Sequence, residues 1–247
     1  MKAVLKLAFV ATLLGCSSNE ELFERIVAGD AEAIRSGYYN VDKAGPSGML
    51  PLQFAIKRAD RRVFDALIDA GADVNKSKGS LGTPMHSAAT VADPYFVHRL
   101  RRHGGDPNRL NDTFPEQQMA PLHFCATSGS TASVETVMAL VDSGADMSGQ
   151  PAFCGCPATF YVVASREDLA LALLRRGAPY NQSFEGEPVA DGTGRFVTIP
   201  KMMQGMIESV ENEVYPNAKL SRSHIDLIRF LQEDGVQFTI QSESILE

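Results

Sequence analysis

Tryptophan is absent from this chain, and basic residues are outnumbered: 23 Lys and Arg face 30 Asp and Glu, for a formal net charge of −7. That balance argues against a nucleic-acid partner, which needs a basic footprint. Without Trp, any aromatic anchor for a partner must be Phe or Tyr. The one long apolar run, Leu7–Leu14, is too short to cross a bilayer, which takes about 20 residues as a helix. Serine-nucleophile, paired-carboxylate and phosphate-loop signals are missing. His103-Gly104-Gly105-Asp106 faintly matches an oxyanion motif but has no G-x-S-x-G companion, and Gly192-Thr193-Gly194 is a lone glycine pair without strand–helix context. The sequence therefore predicts a non-enzymatic protein with no cofactor and no metal site.

Lys2 and Lys6 precede the apolar run, and Leu13-Leu14-Gly15-Cys16 closes it. A basic start, a short apolar core and a small residue at the break describe a secretory signal. The break resembles the lipobox of bacterial lipoproteins. That resemblance implies that Cys16 takes a diacylglyceryl group and becomes the mature N-terminus. Residues 1–15 are then a signal peptide and 16–19 a short tether. Loss of Lys2 and Lys6 takes the formal net charge from −7 to −9. Ser17, not Asp, follows the cysteine, which resembles the outer-membrane sorting pattern and implies the periplasmic face of that membrane.

The remaining chain repeats. Gly82-Thr83-Pro84-Met85-His86-Ser87-Ala88-Ala89 returns in worn form as Leu50-Pro51-Leu52-Gln53-Phe54-Ala55, Ala120-Pro121-Leu122-His123-Phe124-Cys125-Ala126 and Cys156-Pro157-Ala158-Thr159. Each is followed by a glycine signature: Gly71-Ala72-Asp73-Val74-Asn75, Gly104-Gly105-Asp106-Pro107-Asn108, Gly144-Ala145-Asp146 and Gly177-Ala178-Pro179-Tyr180-Asn181. Proline and glycine stand 20 positions apart in three units and 23 in the unit starting at Pro121, which places a short insertion at Thr127–Thr131. Pro51 and Pro84 are 33 apart; the next step, 37, puts extra length in the Arg109–Ala120 loop. These motifs resemble the ankyrin repeat, with its T-P-L-H signature and 33-residue period. The resemblance implies an all-α solenoid of helix pairs with hairpin finger loops, capped at both ends, that binds protein through a concave face.

On that register the ankyrin domain runs over 20–247. It has an N-terminal cap at 20–47, repeats at 48–80, 81–117, 118–153 and 154–190, and an irregular C-terminal cap at 191–247. Asp30 is the expected N-cap of a second helix over Ala31–Ser36. A helix starting at Thr198-Ile199-Pro200 opens the C-terminal cap, and Gln182–Val197 reads as irregular. Seven, four and three residues before each repeat glycine lie core positions of the second helix; Arg101 is the one charged residue among them.

His86 and His123 occupy one register position in successive repeats, too far apart to share a metal, and read as hydrogen-bonding ties between loops. Candidate partner-binding residues are the loop residues Phe114, Met119 and Phe153, with Lys57, Arg58, Lys76 and Lys78; Lys57 and Arg58 form a basic cluster with Arg61 and Arg62. Phe54, Phe124 and Phe160 share a register and read as a packed ridge. Cys125 fills an alanine position. Outside the cytoplasm a disulfide among Cys125, Cys154 and Cys156 is possible in any pairing. The functional expectation is a lipid-anchored envelope protein that binds a protein partner, such as an immunity protein against a secreted toxic effector of the type VI phospholipase kind. The alternatives are a stress-protection or assembly partner of an envelope enzyme and, less favoured, a lipoprotein hydrolase with ankyrin decoration.

Overall fold

The computed structural model describes residues 18–114, 118–148, 157–180, 198–212, 219–241 and 243–246, and these contain helices and no strand. Helices come in pairs: α1 (Ser18–Ala28) with α2 (Ala31–Ser36), α3 (Pro51–Lys57) with α4 (Arg61–Asp69), α5 (Pro84–Ala89) with α6 (Tyr95–Arg102), α7 (Pro121–Phe124) with α8 (Val134–Asp142), α9 (Pro157–Val163) with α10 (Glu167–Arg175), and α11 (Ile199–Glu211) with α12 (Arg222–Glu233). First helices pack on first helices and second on second, giving an inner row and an outer row. The all-helical repeat expected from the paired motifs is present.

Local chemistry sets the boundaries. Pro51, Pro84 and Pro121 start inner helices, where a missing N–H leaves no intrahelical bond unmade. Asp30 and Asp60 cap outer helices by accepting from Ala33 N and Val63 N at 3.1 and 3.0 Å. After α6 the chain reverses at Gly104 (φ +85°). Gly105 N donates to Leu100 O at 2.8 Å and Gly104 N to Arg101 O at 3.1 Å, which satisfies the last carbonyls of the helix. The three-residue insertion lies between α7 and α8, where Thr131 N reaches Thr90 O of the preceding repeat at 2.8 Å.

Small alanines let the rows approach: Ala55, Ala66, Ala88 and Ala89 are fully buried beside Phe64, Phe96 and Leu100. The rings of Phe64 and Phe96 meet edge to face at 5.1 Å across adjacent outer helices. The first helix begins at Ser18, inside the stretch expected as tether, with Glu20 and Glu21 in its first turn, where acidic groups are favoured.

At the other end, α11 begins at Ile199 with Thr198 as N-cap, as the sequence indicates. Residues 236–241 fold back beside it, and Gln204 exchanges two bonds with Thr239, at 3.1 and 2.9 Å. His224 Nε2 stands 2.9 Å from the buried Glu167 carboxylate and ties α12 to α10. Gln232 is exposed. Among the described residues no helix is long and apolar enough to cross a membrane. Residues 181–197 lie outside the described set.

Candidate functional site

The fingers are built from the position three residues into each inner helix. In the second full repeat His86 fills it. Its Nδ1 accepts from Thr83 N at 3.0 Å, so the proton sits on Nε2, which donates to Met119 O in the next finger at 3.1 Å. Burial pushes its pKa down from 6.5 to about 4, against the opposing pull of the Met119 carbonyl. In the first full repeat Gln53 does the same work with an amide: Leu50 N donates to its Oε1 at 3.0 Å, and its Nε2 donates to Gly82 O at 2.9 Å. Gly82 (φ +62°) must lack a side chain, because a Cβ would lie 2.6 Å from the His86 ring.

The long 109–120 finger has a second brace. Asn111, 2% exposed, accepts from Met119 N at 2.8 Å and donates from Nδ2 to Ser80 O at 3.2 Å. Its own N–H reaches Met119 O at 3.1 Å, and Asp112 N reaches Gly79 O at 3.2 Å. The base of this finger is thereby closed and fastened to the neighbouring Gly79–Leu81 turn. Beyond the closure stands Phe114, 73% exposed. A largely exposed Phe on a braced loop presents apolar area at little ordering cost, the property of an interface anchor. Nothing in the residue pattern singled out Asn111; the repeat spacing showed only that the Arg109–Ala120 loop carries extra length.

A third set of bonds runs along the hairpin bases. Asn75 Nδ2 donates to Gly104 O and Asn108 Nδ2 to Gly144 O, each at 2.8 Å. Their Oδ1 atoms accept from Asp106 N and Asp146 N, at 2.9 and 2.8 Å. Asp42 receives Asp73 N at 2.9 Å in the same manner, so the ladder extends into the N-terminal helix pair, which carries no Thr-Pro-Leu-His.

No protein-family model matches the chain. Over 94 residues it is 37% identical to the BTB/POZ domain and ankyrin repeat-containing proteins NBCL of Lupinus angustifolius and Lotus japonicus, and 36% identical to the regulatory protein NPR5 of Arabidopsis thaliana. Each match takes in 37% of this chain and 17% of the relative, so the chain spans a small part of the length of the curated relatives it matches. The fold is an ankyrin-type helical repeat. The likeness extends to ankyrin-repeat-containing proteins, whose repeats generally mediate protein–protein binding.

Within the ankyrin-type stack the predicted partner-binding residues separate into two groups. Lys76 and Lys78 are exposed on the finger beside the one that carries Phe114. Met119 is half-buried, and its backbone closes the finger base. Lys57 and Arg58 lie at the other end of inner helix α3, about 10 Å from its finger-side start at 1.5 Å per residue. Arg58 donates to Val27 O at 3.2 Å and stands 5.9 Å from the Phe54 ring centroid. Arg61 is held by two bonds to Asp93, at 2.7 and 2.8 Å, over the Tyr95 ring. The basic cluster is thus half engaged in internal contacts.

Phe54 packs on Phe23 at 5.5 Å and Phe124 on His86 at 4.7 Å, which makes them ridge residues. Cys125 is fully buried and has no disulfide among the described residues; burial pushes its pKa up to about 12, which keeps it a thiol rather than a thiolate near neutral pH. Arg101, at a position apolar in the other repeats, is exposed. Cys16, Phe153, Cys154 and Cys156, and the side chain of Phe160, lie outside the described residues. Among the described residues no group of His, Cys, Asp and Glu is placed to hold a metal ion.

Proposed function

We propose that this chain is a non-enzymatic, lipid-anchored envelope protein that captures a protein partner on its fingers. The observation that carries the reading is Phe114: a large apolar side chain held out from a finger whose base is fixed by Asn111 and Met119. Lys76 and Lys78 beside it suit a partner pocket with an acidic rim. The anchor rests on Leu13-Leu14-Gly15-Cys16, and Ser17 supports the outer membrane as its location. A short lead from Cys16 to the first helix keeps the stack close to its leaflet, because an extended chain reaches at most about 3.3–3.6 Å per residue. Such a position suits interception of a toxic effector at the membrane surface, the role of an immunity protein.

The test has two arms. Cys16→Ser is expected to abolish acyl labelling; normal labelling would remove the anchor. Cells that lack the gene are then challenged with a toxin encoded beside it. Complementation by the native chain is expected to restore survival, and Phe114→Asp to fail at equal expression. Equal protection by both would exclude the finger as the binding surface, and no protection by either would exclude immunity.

A further inference from the structure

The outer helix α6 carries a surplus of positive charge that the described residues of the stack do not neutralise. Its sequence from His98 to His103 reads His-Arg-Leu-Arg-Arg-His, on a chain of net charge −7. Arg99 is accounted for: it bonds Asp65 at 2.9 Å. His98, Arg101, Arg102 and His103 are all exposed and hold no ion pair among the described residues.

The flanking helices bear acidic groups, but each is already engaged. Asp65 is shared by Arg99 and Tyr95. Asp69 faces the other way, to Arg35 at 2.9 Å. Asp142 is taken by Arg176, and Asp93 by Arg61. Glu135 interacts with its neighbour Ser133. Two residues before each repeat glycine the outer row reads Arg35, Asp69, Arg102, Asp142 and Arg175. Arg102 stands between two carboxylates that both turn from it.

Arg101 adds a second argument. Three residues before the glycine, the other repeats place Ile34, Ile68, Val141 and Leu174, which are buried or half-buried. An aliphatic residue would extend the packing there. One cation in the last helical turn gains from the helix dipole, but that benefit is about 0.3–1 kcal/mol and does not call for four basic groups.

We propose that His98, Arg101, Arg102 and His103 form a docking site for an acidic segment of a partner protein, on a face distinct from the fingers. The charge pattern fixes the occupant. The patch runs about 8 Å along the helix, from the rise per residue. Glu135, exposed and without an ion pair among the described residues, flanks it, on a chain of net charge −7. A narrow acidic peptide lying along α6 meets the arginine forks with little contact beyond the patch, whereas an anionic bilayer or a nucleic-acid backbone is broad enough to meet the acidic surface around it.

The test measures binding of a fluorescent polyglutamate peptide to the full chain by anisotropy at low ionic strength. Parallel arms use phosphatidylglycerol vesicles and single-stranded DNA. Arg101→Glu with Arg102→Glu is expected to weaken peptide binding about tenfold or more, and Lys76→Glu with Lys78→Glu to change it by less than about twofold. Arg101→Leu is expected to weaken binding while the thermal midpoint stays level or rises. Unchanged peptide binding in the double arginine variant overturns the proposal. So does a loss confined to the lysine variant, or a vesicle or DNA signal stronger than the peptide signal. A lowered midpoint in Arg101→Leu shows that Arg101 is a packing residue and also overturns it. Because the finger residues form their own arm, failure here leaves the finger reading standing, and the reverse.

Discussion

The side chain of Asn75 closes on Gly104 of the following repeat, donating to its carbonyl at 2.8 Å while accepting Asp106 N–H at 2.9 Å. One amide thus sets the spacing of two hairpins. The step recurs from Asn108 to Gly144 and Asp146. Repeat stacks gain stability from such neighbour terms, since each unit contacts only the next.

Asn75→Ala removes both bonds. The expected cost is about 1–3 kcal/mol, from two exposed hydrogen bonds at about 0.5–1.5 kcal/mol each. Asn75→Asp keeps the acceptor, loses the donor and falls between. Urea unfolding followed by far-UV circular dichroism measures this. Native stability in Asn75→Ala would mean the ladder is decorative.

Leu100→Ala tests the register of the outer helices. Leu100 is fully buried, so a cavity is expected to cost about 2–5 kcal/mol. Val27→Ala, at a position 55% exposed, serves as control and is expected to change stability by less than about 0.5 kcal/mol. Similar losses for the two would contradict the packing described.

His86 makes stability depend on pH. In the unfolded chain an imidazole titrates near 6.5, whereas in the fold its pKa is about 4. Between these values the unfolded chain binds a proton that the folded chain does not, so stability falls as pH falls through this window and levels off below it. The full effect is about 3 kcal/mol, at 1.36 kcal/mol per unit. His86→Gln is expected to flatten this part of the profile while keeping the fold, since Gln53 meets the same two demands with an amide. Parallel profiles for the two proteins between pH 7 and 4 would contradict this role.

The tip and the brace of the long finger are separable. Phe114→Asp is expected to leave the urea midpoint unchanged, because the ring is exposed. Asn111→Ala leaves Met119 N and Ser80 O without their partner and is expected to cost about 1–3 kcal/mol. A stability loss in Phe114→Asp would place the ring in the core.

Much of this stack was legible in the residues. Four proline–glycine pairs gave the register, Asp30 the first cap, and Thr198-Ile199-Pro200 the last inner helix. The tie made by His86 followed from its place in the motif, because a ring with one donor and one acceptor suits a turn that offers one of each. Gln53 was not recognised as its equivalent: amide and imidazole satisfy the same pair of groups, and a motif written in residue letters does not show that. Asn111 carried no periodic signal, since its partners come from a loop eight residues away and from the neighbouring finger. Arg101 fell on a core position by spacing, yet a long side chain at the rim of an outer helix turns to water rather than bury its charge. Lys57 and Arg58 were named with Lys76 and Lys78 as partner-binding candidates, but α3 carries them to the end of the inner row away from the fingers.

The central claim is that a partner protein docks on the finger that carries Phe114. A photo-crosslinking amino acid in place of Phe114, in the full chain exported in living cells, tests this most directly, with exposed Glu24 on the first helix as the control site. The account predicts one discrete adduct from position 114 upon illumination, absent from position 24 and lost when Asn111→Ala loosens the finger base. Failure to form any adduct at 114, or the same adducts from both positions, would contradict it.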